Sequence, residues 1–218
     1  MVLSIGVSLD DYLHRRDARS VRERKMRAEG RLPPGQALTL KWPVLHEGPV
    51  PDFDPATWDF RANGLVERPL TLGHEALLAL GTVEVVSDFH CVTRWSTFDN
   101  RWEGVPIRAV LEKVAPLATA THVMVVGHKG RERYGYSTNL PLADLDRPDV
   151  LLCHRHGGQP LTPEHGGPLR LIVPHLYAWK SVKWVRGLIF MDADKPGYWE
   201  RAGYHMRGDP FAEERFGP

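Results

Sequence analysis

The sequence predicts an α+β fold in which β-structure dominates, a β-rich mixed domain. Three observations predict it. Short runs rich in Val, Ile and Leu recur along the chain. Only two segments beyond residue 40 carry a helical pattern. Turn formers are abundant, with 20 Gly and 18 Pro, and so are side chains that stack or hydrogen-bond, with 11 His and 7 Trp. The 218 residues, 42% hydrophobic and 25% charged, have an ordinary globular composition. Disordered, collagen-like and coiled-coil classes are thereby excluded. The length suits one large domain, or one plus an appendage.

The first element is basic. Residues 14–31 hold eight Arg or Lys against three Asp or Glu. This stretch is polar and helix-prone, and Gly30 with Pro33-Pro34 ends it. It reads as a solvated helix or as a docking arm for an acidic partner. The expected division is therefore an arm over 1–36 and a domain over 37–218. Pro43, Pro49, Pro51 and Pro55 then impose extended chain. Residues 58–62 alternate like a strand, and Asn63-Gly64 signals a turn. Residues 72–80 read as a short helix closed by Gly81. Residues 83–86 read as a strand running into Cys91, and 107–114 as a second helix. Residues 121–126, 150–154, 169–173 and 184–191 are further strands.

Bulk properties narrow the function classes. With 28 basic and 27 acidic residues the net charge is +1, so composition does not call for nucleic acid. No apolar run is long enough to span a membrane as a helix. Arg15-Arg16 resembles an export signal, but charged residues follow where an apolar stretch is needed. A cytoplasmic protein with reduced cysteines is expected.

Three constellations carry chemistry. Cys91 sits where a strand gives way to a loop, beside His90 and near Arg94. Basic neighbours bias a thiol toward thiolate, the form that attacks electrophiles or binds soft metals; a small buried hydrophobe is the other reading. His154, His156 and His165 lie near Cys153, but the spacing matches no paired zinc motif. Cys153 and His154 would face opposite sides of a strand. Arg170, Lys180, Lys183 and Arg186 form a cationic group able to clamp a phosphate, or an ordinary basic surface.

Taken together, these segments resemble the molybdenum-cofactor domain of the sulfite oxidase family. The resemblance rests on Tyr136-Ser137-Thr138-Asn139-Leu140-Pro141-Leu142, then Gly158-Gln159-Pro160-Leu161 and His165-Gly166-Gly167-Pro168-Leu169-Arg170. It continues through Val173-Pro174 and Lys180-Ser181-Val182-Lys183-Trp184. Upstream, His46 with Pro49-Val50-Pro51, Cys91, and Trp102-Glu103-Gly104-Val105-Pro106-Ile107 fit the same pattern, so the match covers roughly residues 40 to 205. It is closest to compact bacterial members, which include periplasmic reductases of oxidised methionine and cytoplasmic relatives.

The resemblance implies a molybdenum ion held by a pyranopterin (molybdopterin) cofactor, with Cys91 as the protein ligand to the metal. It implies Tyr136 as the active-site tyrosine, with Tyr134 two residues away as its rival. It implies Arg170, Lys180 and Lys183 around the pterin and its phosphate, with His46, Arg94, His165 and Ser181 as further contacts. Oxygen-atom transfer is the implied chemistry, with an external electron-transfer protein and a small-molecule substrate. Sulfite oxidases carry an arginine and an asparagine before the leading histidine; here Val44 and Leu45 stand there. A small S-oxide or N-oxide therefore fits better than sulfite. Read without the resemblance, the same residues also suit a cysteine-nucleophile enzyme using Cys91, or a module that binds a phosphorylated ligand without redox activity.

Overall fold

The computed structural model describes residues 9–128 and 136–217. Tyr134 lies outside them. A helix, α1 (Leu9–Ala28), precedes a short strand, β1 (Ala37–Leu38). Then come β2 (Asp59–Gly64), β3 (Leu70–Gly73), α2 (His74–Leu78), β4 (Val83–His90), β5 (Trp95–Pro106) and α3 (Ile107–Val114). Next are β6 (His122–Gly127), β7 (Ser137–Pro141), α4 (Leu142–Leu145), β8 (Leu151–His156), β9 (Gln159–Pro160) and β10 (Arg170–Ile172). The last are β11 (Val185–Met191) and α5 (Tyr198–Arg201), with single 3₁₀ turns at Pro163–His165 and Ala178–Lys180.

The strands form two mixed sheets, as the β-rich α+β reading expects. One runs β1-β5-β8-β10, with β4 also on β5 and β9 on β8; the other runs β3-β2-β11-β6-β7. The main core lies between them. Phe60 of β2, Val105 of β5, Leu152 of β8, Leu171 of β10 and Leu188 of β11 are fully buried in it. Each such side chain contributes about 1.5–3 kcal/mol by leaving water. Helix α3 adds Ile107, Val110, Leu111 and Val114, one stripe at helical spacing.

Strand alternation sorts the other face of the first sheet. On β8, Leu152 joins the main core, whereas Leu151 and Cys153 join a second cluster with Phe89, Trp102 and Ile172. On β10, Leu171 points to the main core, so Ile172 and Arg170 point to the second cluster's side. The backbones of β5 and β8 approach closely at Gly104. A Cβ there would lie 2.4 Å from the Leu152 carbonyl oxygen.

Three elements differ from the sequence expectation. The helix predicted over 72–80 is confined to α2, because residues 70–73 pair with β2 as β3. Strand β5, twelve residues long, carries no apolar run and was not predicted. The basic arm is not simply solvated. Its Met26 is 3% exposed and packs with Leu32, Leu38 and Phe98. Arg22 donates to Asp99 at 3.0 Å, and Arg31 bridges Asp88 and Asp99. Glu23 accepts the Leu38 backbone N–H at 3.0 Å. The C-terminal half of α1 is thereby docked against the β4–β5 hairpin.

Met26→Ala is expected to lower unfolding free energy by about 2 kcal/mol or more in urea melts. Arg19→Ala, at an exposed position of the same helix, should shift it by less than about 0.5 kcal/mol.

Candidate active site

Strands β4 and β5 are joined by the turn 91–94. The Cys91 N–H donates to the Trp95 carbonyl at 2.9 Å, and the Arg94 N–H to the Cys91 carbonyl at 3.0 Å. Alternation at the end of β4 separates Cys91 from His90. The His90 ring lies beside Phe98, with Nδ1 2.9 Å from Ser96 Oγ. Burial holds its pKa down to about 4. Cys91 instead faces a cavity of about 290 Å³. Burial pushes its thiol up, while Thr93 Oγ1 donates to Sγ at 3.1 Å. The two basic neighbours seen in the sequence do not supply the expected thiolate bias, since His90 points away and Arg94 is exposed beside Gly35; burial outweighs the opposing charge of Arg215.

Five of the seven tryptophans line this cavity: Trp42, Trp95, Trp179, Trp184 and Trp199. Sequence reading missed this wall; the tryptophan count was its only signal. Such walls suit a flat, conjugated group. The Trp95 Nε1 is buried and has no hydrogen-bond partner among the described residues. It is a donor left for an acceptor on a bound group.

The cavity also holds two cations. Arg170 is buried, donating from Nη1 to the His165 carbonyl at 2.9 Å and from Nη2 to the Ser181 carbonyl at 3.0 Å. Its guanidinium lies 5.3 Å from the rings of Trp42 and Phe89. Burial lowers its pKa to about 10. Lys183 donates to the Leu45 carbonyl at 2.8 Å and to that of Glu164. Burial, then the charge of Arg170, brings it down to about 7. Among the described residues neither makes an ion pair with a carboxylate. A dianion such as a phosphate would supply the missing counter-charge.

Six of the nine sequence-derived site residues meet here: Cys91, Tyr136, His46, Arg170, Ser181 and Lys183. Tyr136 donates its hydroxyl to the Trp179 carbonyl at 2.6 Å. Burial, then the Glu200 charge, raises it well above the ordinary tyrosine range. His46 sits at the rim, edge-on to Trp184 at 5.4 Å. Ser181 Oγ accepts the Val173 N–H at 2.9 Å.

Three residues are placed elsewhere. His165 backs the wall, its ring stacked on Trp42 at 3.9 Å between centroids. Arg94 is not among the lining residues. Lys180 is fully buried and turned away, with Nζ 2.7 Å from Glu200 Oε1 and 2.8 Å from Asn139 Oδ1. The turn Ala178–Lys180 directs it into that ion pair, so a role for Lys180 in clamping a phosphate gives way to a structural one. Glu200 Oε1 also accepts from Thr138 and from Trp179 Nε1. Both cysteines are free, and the Cys153 thiol donates to the Arg155 carbonyl at 3.0 Å. Neither histidine that the sequence offered as a base for Cys91 is placed to act on it: His90 is turned away and His165 does not line the cavity.

The chain matches the family described as oxidoreductase molybdopterin binding domain over residues 47–199. It is 46% identical to the uncharacterized oxidoreductase YuiH of Bacillus subtilis, over 86% of this chain and 92% of that protein. It is 30% identical to the protein-methionine-sulfoxide reductase catalytic subunit MsrP of Gluconobacter oxydans, over 68% of this chain and 52% of that one. It is 29% identical to the NADPH nitrate reductase of Aspergillus niger, over 91% of this chain but only 26% of that protein. The sulfane dehydrogenase SoxCD of Paracoccus pantotrophus shares the fold, with a TM-score of 0.61 at 22% identity over 71% of this chain and 42% of that chain.

Lys180→Met should cost about 3–5 kcal/mol in chemical denaturation, because it leaves a buried carboxylate unpaired. The double variant Lys180→Met/Glu200→Gln should recover much of that loss. A second expectation concerns pH. Burial, then the charges of Arg170 and His165, lower the His156 pKa to about 4 against 6.5 for a free imidazole. The unfolded chain therefore takes up this proton first as pH falls. Stability should be complete above pH 6.5 and fall toward pH 4, and His156→Gln should flatten that part of the profile.

Proposed function

The chain belongs to the molybdopterin-binding oxidoreductase family, and on that premise we propose that it reduces a small S-oxide or N-oxide, with electrons from an external carrier. When bound, the molybdenum–molybdopterin cofactor supplies two-electron oxygen-atom transfer. In this reading Cys91 gives its sulfur to the metal, which requires loss of the thiol proton. The tryptophan walls exclude water around the flat pterin. Trp95 Nε1 would donate to it, and Arg170 and Lys183 would hold its phosphate. Tyr136, whose hydroxyl donates to the Trp179 carbonyl, would donate to the substrate oxygen instead.

The observation that carries the substrate assignment is the rim. Leu45 lines the cavity and is 51% exposed, and Val44 before it is 45% exposed. Sulfite oxidases place an asparagine and an arginine at these positions. A dianion at this rim would shed water without a matching donor, whereas a neutral S-oxide or N-oxide needs one hydrogen-bond donor to its oxygen. The similarity to MsrP supports the same choice.

The test uses protein purified from a cofactor-competent host. Dimethyl sulfoxide, methionine sulfoxide and trimethylamine N-oxide are offered with a reduced viologen dye, nitrate likewise, and sulfite with ferricyanide. Reduction of one of the S-oxides or N-oxides, abolished in Cys91→Ala, is expected. Efficient sulfite oxidation or nitrate reduction without S-oxide or N-oxide turnover would overturn the assignment.

A further inference from the structure

We propose that Gln36 and Arg215 are positioning residues for Cys91, holding the backbone of its turn from segments that lie outside the family-matched region. This rests on the reading of Cys91 as the metal ligand. The matched region spans 47–199, so both residues fall beyond it. Gln36 Nε2 donates to the Cys91 carbonyl at 2.9 Å. Arg215 Nη1 donates to the Val92 carbonyl at 2.8 Å. The Ala37 N–H donates to the Arg94 carbonyl at 3.0 Å. Three of the four carbonyls of the turn 91–94 are thus gripped from outside the hairpin.

The grip is needed because the turn is not a relaxed one. Arg94 has φ 71°, a left-handed conformation that a side chain disfavours. From within, the backbone of the turn is closed by the Arg94 link back to Cys91 and by the Cys91–Trp95 bond, with Thr93 Oγ1 on the Cys91 sulfur. A cysteine's reach is set by its backbone, since one χ angle is all that separates Sγ from it. Ligation tolerates little error, and a loop anchored by its own two bonds is a loose support.

The gripping groups are themselves immobilised. Gln36 and Arg215 are 4% and 6% exposed. Arg215 Nη2 donates to the Pro34 carbonyl at 3.2 Å, joining the two outer segments. Its guanidinium lies 4.9 Å from the Tyr177 ring, which stacks on the cavity wall residue Trp179. Gly35 permits the assembly. It has φ 66°, and a Cβ there would lie 2.9 Å from the Arg94 guanidinium and 3.0 Å from the Glu213 carboxylate. The sequence displayed Arg94 as a cofactor contact; its surroundings make it part of this backing.

The test compares Gln36→Met, Arg215→Met and Arg215→Lys with Arg68→Met, a change at an exposed arginine outside this assembly. In metal-free full-length protein, amide hydrogen exchange at Cys91 and Arg94 should quicken about tenfold or more in the two Met variants. Arg215→Lys keeps one donor and should recover part of the protection. In the molybdenum-loaded protein the sulfur-to-metal charge-transfer band should shift or broaden in the Met variants while thermal unfolding stays cooperative. Unchanged exchange at these amides, or loss confined to global unfolding in all variants including Arg215→Lys, overturns the proposal. Cys91→Ser separates the two readings. If it leaves the charge-transfer band intact, Cys91 is not the ligand, whereas the exchange data still decide whether Gln36 and Arg215 hold the turn.

Discussion

A cation taken out of water must be met by acceptors, and the way two buried cations solve this organises the site. Arg170 and Lys180 sit ten positions apart and are both buried. Lys180 meets the Glu200 carboxylate, so its charge is cancelled inside the fold. Among the described residues Arg170 hydrogen-bonds only to backbone carbonyls, those of His165 and Ser181 among them. Those bonds fix the loops on either side of β10 and leave the positive charge uncancelled. One cation therefore ties Trp179, Asn139 and α5 together, and the other keeps the cavity positive. The cavity's geometry depends on the first and its anion affinity on the second.

The hairpin β4–β5 converts this framework into a presented thiol. Its strands are long enough to reach from the arm helix to α3, and its turn brings Cys91 to the cavity while alternation takes His90 to the other side. The same strand β5 carries Trp95 into the cavity wall and Trp102 into the second cluster. Residues twelve or fewer apart thus supply the cavity's thiol, the Trp95 donor and the packing behind them.

Much of this was legible in the sequence, and the failures have physical reasons. Strands rich in Val, Ile and Leu were readable because the main core takes up their apolar side chains. Strand β5 was not, since its register of Ser, Thr, Asp, Asn and Arg looks like a loop until its neighbours are known; pairing on both sides makes it a strand. Leu70 and Leu72 belong to a period of two that overlaps the helical pattern of the next residues. The motif around residues 180–183 displayed two lysines, but spacing carries no direction, and a single 3₁₀ turn sends Lys180 inward and leaves Lys183 facing the cavity. Charge made the arm look solvated because its anchor is one methionine. Gln36 and Arg215 had no local signal, since their partners are backbone carbonyls far along the chain.

The second cysteine gives the protein chemical discrimination. Cys153 is wholly enclosed, its thiol donates to a carbonyl, and burial pushes its pKa up to about 12. Burial and that carbonyl both favour the protonated thiol. Of the two thiols, only that of Cys91 lines the cavity. On the proposed reading of Cys91 as the metal ligand, the two thiols do not compete for the same ion.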